Sequence, residues 1–219
     1  LVNSSPLSMR SSAVALVAFD RNSGDEIWRG GRAQISYCSP IVANLDGVRQ
    51  IVSVNESSVS GHDTATGETL CEHPWPGSSS TESNNSQPVL VGDDRVLVTK
   101  GYGLGGALLK VGRSSGGKWQ AKSLWHNRKV LKTKFTNLVL HEGHAYALSD
   151  GILECVDLET GERKWKRGRY FHGQMLGVGG VLLVMHERKG DVMMVELNPN
   201  QHVELGKFRA FETDKAWNH

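Results

Sequence analysis

The stretch Val156-Asp157-Leu158-Glu159-Thr160-Gly161-Glu162-Arg163-Lys164-Trp165-Lys166 decides the fold. It reads as the end of one strand, a tight turn, and the start of a second strand carrying a tryptophan. An Asp at a strand end accepts hydrogen bonds from the backbone just ahead of it and starts a turn. A Gly four residues later supplies the left-handed conformation that closes the hairpin, because it has no Cβ to clash. Trp165 then projects from the returning strand, where a rigid aromatic can fill the wedge between neighbouring units and bury roughly 150–250 Å². The phrase recurs as Phe19-Asp20-Arg21-Asn22-Ser23-Gly24-Asp25-Glu26-Ile27-Trp28 and as His62-Asp63-Thr64-Ala65-Thr66-Gly67-Glu68-Thr69-Leu70-Cys71. Asp20, Gly24, Trp28, Asp63, Gly67, Asp157, Gly161 and Trp165 are therefore read as a repeated structural motif.

The first residues of successive turns, Asp20, Asp63, Gly112, Asp157 and Asn198, step by 43, 49, 45 and 41 residues. Within each step, short runs rich in Val, Leu and Ala are separated by turn signals such as Asn44-Leu45-Asp46-Gly47, Gly92-Asp93-Asp94, Glu142-Gly143 and Gly179-Gly180. Four strands in roughly 40–50 residues is one blade of a propeller. No segment sustains a helical period, so helix content should be minimal. The expected fold is all-β: a single partial β-propeller domain over residues 1–219, built from four-stranded antiparallel blades. The units run over about 1–30 (partial), 35–76, 84–127, 134–167 and 170–210, with the start of another at 215–219, or about four and a half blades. The chain starts inside an apolar stretch at Leu1-Val2 and stops at Trp217-Asn218-His219 without a cap, so a piece of a larger ring is expected.

Composition excludes several classes of function. Apolar residues at 38% and charged residues at 22% suit a folded globular domain. A net charge of +2 with no long basic run gives no pointer to nucleic acid or to an anionic membrane. No apolar stretch is long enough for a transmembrane helix. Cys38, Cys71 and Cys155 are odd in number and form no CxxC, so buried free thiols are expected, with one disulfide left open.

The segments Ala18 to Trp28 and Cys155 to Trp165 resemble the pyrroloquinoline quinone (PQQ) repeat, with its Ala/Cys-x-Asp-x-x-Thr-Gly-x-x-x-Trp tryptophan-docking turn. The unit at Asp63 departs from it with Cys71 in the Trp position, and the third and fifth units lack both the Asp and the Thr-Gly. Asn84-Asn85-Ser86-Gln87-Pro88, Gly168-Arg169-Tyr170-Phe171-His172-Gly173-Gln174 and Trp217-Asn218-His219 are similar to phrases of exported bacterial propellers, as in planctomycetes. The resemblance implies a ring of seven or eight blades and a periplasmic or otherwise exported protein. It also implies one of two activities, because the family holds quinoprotein dehydrogenases and non-enzymatic assembly lipoproteins.

A dehydrogenase of that kind would carry adjacent cysteines over the PQQ, a tryptophan floor, and a Glu/Asn/Asp set holding calcium. None of these is recognisable, so no catalytic, cofactor-binding or metal residue is assigned. The favoured expectation is a non-catalytic scaffold that binds a protein partner or a small ligand. The alternative is a PQQ- and calcium-dependent dehydrogenase whose site is completed by missing blades. A polysaccharide-binding or hydrolytic propeller is weaker, because it needs carboxylates beside aromatic platforms.

Aligning the first strand of each unit brings Tyr37-Cys38-Ser39, Asn85-Ser86-Gln87, Phe135-Thr136-Asn137, Phe171-His172-Gly173 and Trp217-Asn218-His219 into register. In a propeller, innermost strands begin at the axial channel. Ser39, Gln87, Lys134, Asn137, His172, Asn218 and His219 are therefore the candidate ligand or partner site at a channel mouth, with Lys132 adding charge. Three other motifs read as structural. Gly101-Tyr102-Gly103-Leu104-Gly105-Gly106 matches GxGxxG but precedes a strand, not the helix that a dinucleotide requires. His141-Glu142-Gly143-His144 lies on a hairpin turn, where the two His cannot share a helix face. Asn3-Ser4-Ser5, Asn55-Glu56-Ser57 and Asn84-Asn85-Ser86 match the glycosylation sequon only.

Overall fold

The computed structural model describes residues 2–3, 14–78, 80–212 and 215. Short β-prone runs zigzag through tight turns into five antiparallel sheets. The first holds β1 (Val2–Asn3), β2 (Leu16–Phe19) and β3 (Glu26–Gly30). The second holds β4 (Ile41–Leu45), β5 (Val48–Val54), β6 (Ser58–Asp63) and β7 (Thr69–Pro74). The third holds β8 (Val89–Val91), β9 (Arg95–Lys100), β10 (Gly105–Arg113) and β11 (Trp119–Asn127). The fourth holds β12 (Val139–His141), β13 (His144–Ser149), β14 (Ile152–Asp157) and β15 (Arg163–Arg169). The fifth holds β16 (Met175–Val178), β17 (Val181–Met185), β18 (Asp191–Glu196) and β19 (Glu204–Arg209). Strands follow sequence order within each sheet, and no helix occurs among the described residues. This is an all-β propeller, and the sheets are its blades.

The middle strands are buried along nearly their whole length, as in β13 and β14. Both faces of such a strand are covered, so its sequence is a continuous apolar run rather than an alternation. The last strand of each sheet is largely exposed. The chain forms two compact units, residues 1–98 with 109–124 and residues 99–108 with 125–219. In the first, Ala15, Leu16 and Ile51 pack with Trp28 and Ile35. In the second, Tyr146, Leu148, Leu153, Cys155, Leu182 and Val184 pack with Val139 and Trp165. Val139, Tyr146, Cys155 and Trp165 are register partners in a single row across the fourth sheet.

The opening hairpin has the expected chemistry. Asp157 Oδ1 accepts the backbone N–H groups of Glu159 at 3.0 Å and Thr160 at 2.9 Å, and the Thr160 hydroxyl at 3.1 Å. Asp63 and Asp20 hold their turns in the same way. Those backbone donors hold all three carboxyls below the usual carboxylate range. Gly24, Gly67 and Gly161 have φ of 78°, 74° and 69°. Pairing slips just before each turn, at Ala18/Phe19, Gly61/His62 and Cys155/Val156, and again at Met194/Val195 in the fifth sheet. Such a bulge bends the returning strand. It aims the register partner, respectively Trp28, Cys71, Trp165 or Gly206, across the sheet face.

The third turn differs from the sequence reading, and the fifth is longer than the others. β10 runs on through Gly112 and Arg113, whose N–H donates to Asp46 Oδ2 at 3.2 Å. The turn therefore opens at Ser114, not Gly112, and its left-handed residue is Gly117. In the fifth sheet Glu196 N–H reaches the Val203 carbonyl at 2.9 Å, so that loop is two residues longer than the Asp157–Glu162 turn.

Candidate functional site

The segments that enter the inner strands are fixed by polar backbone contacts. In the second unit, Thr133 carbonyl accepts Gly101 N–H at 2.6 Å, and Lys132 carbonyl accepts Asp150 N–H at 3.0 Å. Gly151 carbonyl accepts the N–H groups of Tyr170 and Phe171. Three aromatics, Phe135 and Phe171 on these segments and Tyr102 in the turn from β9 to β10 that packs against them, hold φ of 55°, 59° and 54°. Left-handed backbone at a bulky residue is strained by about 1–2 kcal/mol, and such strain clusters at binding and switch sites.

Cations stack on two of these rings. Lys134 Nζ sits 5.0 Å from the Tyr102 centroid, while the Arg188 and Arg169 guanidiniums sit 4.0 and 5.8 Å from that of Phe171. Phe135, 38% exposed, meets His172 edge-on at 6.2 Å. Gln174 Nε2 donates to the Phe135 carbonyl at 3.0 Å. Asp150 pairs with Lys132 at 2.5 Å and Lys134 at 3.8 Å, and these ammonium groups hold its carboxyl low against burial. His172 donates its backbone N–H to Glu187 at 3.0 Å, while burial lowers the pKa of its ring. The structure thus brings Lys134 and His172 to one aromatic and cationic surface. Asn137 is half-buried on the segment entering β12.

In the first unit the corresponding segments run side by side. Tyr37 N–H donates to Asn84 carbonyl at 3.1 Å, and the Cys38 thiol donates to Ser86 carbonyl at 3.2 Å. Tyr37 is 70% exposed and Ser39 is exposed, whereas Gln87 is half-buried. Asn218 and His219 lie outside the described residues.

One feature of the first unit escaped the sequence reading. Ser53, Asn55, Ser58, Ser60 and His62 form a buried polar chain. Ser53 hydroxyl donates to Asn55 Oδ1 at 3.0 Å, and Asn55 Nδ2 donates to Ser60 Oγ at 2.8 Å. His62 Nδ1 faces the Gly67 carbonyl at 3.2 Å, and a carbonyl can only accept. The ring proton is therefore on Nδ1, and Nε2 accepts from Ser60 at 2.8 Å. A cavity of about 500 Å³ opens beside Ser60 and His62, with Arg29, Arg32, Glu68 and Glu72 in its lining. The chain terminates on backbone, and Ser60, 3% exposed, already accepts from Asn55. A nucleophile needs a free approach and an oriented base, so this chain locks the second sheet rather than performing acyl chemistry. The alternation Ser58-Val59-Ser60-Gly61-His62 on an otherwise apolar strand was its signal.

The other motifs have structural places. Gly101 to Leu104 is a turn running straight into β10. His141 and His144 flank the turn between β12 and β13. Asn55 and Asn84 are buried, with Asn84 Nδ2 donating to Asn55 carbonyl at 2.8 Å, so neither side chain is open to glycosylation. Among the described residues no three His, Cys, Asp or Glu side chains converge. The cysteines are buried and unpaired with one another, and burial pushes the Cys38 thiol up to about 12 and that of Cys155 up to about 11. Also among the described residues, no helix is long and apolar enough to cross a membrane.

Solved structures similar to this chain are propellers. BamB from Moraxella catarrhalis superposes with a TM-score of 0.63 at 15% identity, over 90% of this chain and 55% of that one. The Cps50 (Swd1) β-propeller domain of Myceliophteria thermophila gives 0.59 at 15%, over 88% and 64%. BBS1N, solved in complex with ARL6DN, gives 0.59 at 15%, over 88% and 60%. The chain thus spans about half to two thirds of these structures. No curated protein matches the sequence. The profile described as outer membrane protein assembly factor BamB matches residues 2–167, so the chain belongs to that family of PQQ-repeat propellers.

Proposed function

We propose that the chain is a non-catalytic propeller scaffold in an exported bacterial protein, and that it binds a protein partner at the segments entering its inner strands. The observation that carries this reading is the trio Tyr102, Phe135 and Phe171, strained in backbone and flanked by Lys134, Arg169 and Arg188. Aromatics and Arg dominate the energetics of protein interfaces, because they bury much area at low entropic cost. Lys134, Asn137 and His172 belong to the proposed surface, and Ser39 and Gln87 are their counterparts in the second and third sheets. Membership of a family described as an outer membrane assembly factor supports export and a protein partner.

Two measurements test it. Titration with PQQ and calcium, followed by absorbance and dye-linked alcohol or sugar oxidation, should give neither binding nor turnover. Tight binding with turnover would replace the scaffold by the dehydrogenase. Lys134→Glu with Arg188→Glu should abolish co-purification of a partner that the parent chain retains from an envelope extract. Unchanged retention would remove the surface from the proposal.

A further inference from the structure

The outer strand of the fourth sheet differs from every other outer strand. β15 reads Arg-Lys-Trp-Lys-Arg-Gly-Arg, with five of seven residues cationic and none acidic. The outer strands β3, β7, β11 and β19 carry none to two cations each. The whole chain nets only +2, so this strand is a local concentration of charge and not the average of the surface. Part of it is used internally. Arg163 pairs with the buried Glu154 at 2.8 Å and donates to the Lys129 carbonyl. Lys166 donates to Ser149 at 3.2 Å, with Glu154 at 3.9 Å.

The rest of the charge is uncommitted. Lys164, Arg167 and Arg169 are exposed, and none makes an ion pair among the described residues. Arg167 reaches only the Lys166 carbonyl, and Arg169 lies by the Phe171 ring. Arg128 and Lys129, both exposed, extend the charge past the turn end of the strand, where Asn127 Nδ2 donates to the Gly161 carbonyl at 2.8 Å. The stripe follows seven residues of strand, ~23 Å at strand rise. One flank of β15 pairs with β14, and the other closes the sheet order, so its outward backbone groups face no strand of that sheet. A single charge is enough to keep such an edge from pairing with its own kind. Five cations on one edge, three of them without counter-ions among the described residues, exceed that need.

We propose that this edge receives an acidic, extended segment of a partner protein, which adds beside β15 as a further strand. Its carboxylates meet Lys164, Arg167 and Arg169, while main-chain hydrogen bonds supply the register. A linear peptide fits better than a nucleic acid or a membrane, because the charge follows one open strand edge and not a broad face. The inference rests on the reading of the chain as a protein-binding scaffold and uses a second surface, which shares Arg169 with the loop-end one.

The test uses the intact chain and a labelled peptide of about eight residues alternating Glu and Val, followed by fluorescence anisotropy. Controls are the same peptide with Pro at alternate positions, an oligothymidylate of similar charge, and phosphatidylglycerol vesicles. The expected result is saturable binding of the alternating peptide. It should weaken about tenfold or more in Lys164→Glu/Arg167→Glu, with an unchanged thermal melt and full binding by Lys122→Glu, which reverses an exposed cation on the outer strand β11. Any of four results overturns the proposal: no peptide binding, equal binding of the Pro peptide, equal binding by the charge-reversed variant, or tighter binding of oligothymidylate or vesicles. A chain that binds the peptide yet loses no partner on Lys134→Glu would sink only the loop-end surface.

Discussion

The hairpins Asp63–Cys71 and Asp157–Trp165 share one turn and differ at one end. Both hold an Asp that accepts two backbone N–H groups and a Thr hydroxyl, and both close on a left-handed Gly. In the fourth sheet the returning strand brings Trp165, whose Nε1–H donates to the Asn198 carbonyl at 2.9 Å. In the second sheet it brings Cys71, beside a cavity of about 10 Å³ lined by Val96, Leu109, Val111 and Ala121 among others. The third hairpin shows the converse. It lacks the Asp, yet Trp125 lies over Gly161 and donates to the Leu158 carbonyl at 2.8 Å. Turn and tryptophan are thus separable devices: one closes the sheet, the other joins it to its neighbour. The closing Gly serves both, since Trp28 covers Gly67 as Trp125 covers Gly161.

The comparison breaks most readily at the aromatic. Trp165→Ala should lose about 3 kcal/mol in a denaturant melt, since its ring is half-buried and hydrogen-bonded, whereas Cys71→Ala should lose about 1 kcal/mol. A Trp165 loss below about 1 kcal/mol would contradict the joint. Gly161→Ala comes next, at about 2–3 kcal/mol, because its Cβ would lie 2.6 Å from Trp125 Cδ2 on a left-handed backbone. Gly24→Ala meets no atom within 4 Å and should show only the backbone strain, about 1 kcal/mol. In a Trp125→Ala background, the Gly161→Ala loss should fall towards the Gly24 value; strict additivity would mean that ring and glycine do not share one joint.

Smaller effects follow from titration. The Asp157 carboxyl is held below its ordinary value of 3.8, so its stabilisation is present above that pH and fades as pH falls through the lowered folded value. Asp157→Asn should flatten the acid limb of the stability curve below about pH 4, and an unchanged slope would remove the role of the carboxylate. Burial lowers the His62 pKa below 6.5, so its contribution is complete above pH 6.5 and is lost as pH falls below it. His62→Gln should lessen the loss of stability on acidification from pH 7 to 5, read by thermal melts.

The fold was legible because its main device is local. Asp, Gly and Trp at fixed offsets encode a turn and a joint within eleven residues, and the repeat of that phrase gives the blade. The third turn was misplaced because Gly112 looks like a turn residue, while a distant partner, Asp46, holds Arg113 in the strand. Trp125 was not recognised as a joint, since its role shows only against Gly161 of the next sheet. Register on the inner strands brought Lys134, Asn137 and His172 together as candidates. The strained backbone of Tyr102, Phe135 and Phe171 has no sequence signature, because left-handed conformation at an aromatic is imposed by packing. The basic edge of β15 was readable in the sequence but hidden by a whole-chain charge near neutral.

The proposed division between hairpin ends that join sheets and loop ends that bind a partner can be tested in one experiment. A photo-crosslinking residue is placed at Phe135, on the loop-end surface, and in a second sample at Ala65, in the exposed Asp63 hairpin turn. Each protein is irradiated in the same envelope extract. A discrete protein adduct from position 135 and none from position 65 is the expected result; an adduct from position 65 alone would contradict it.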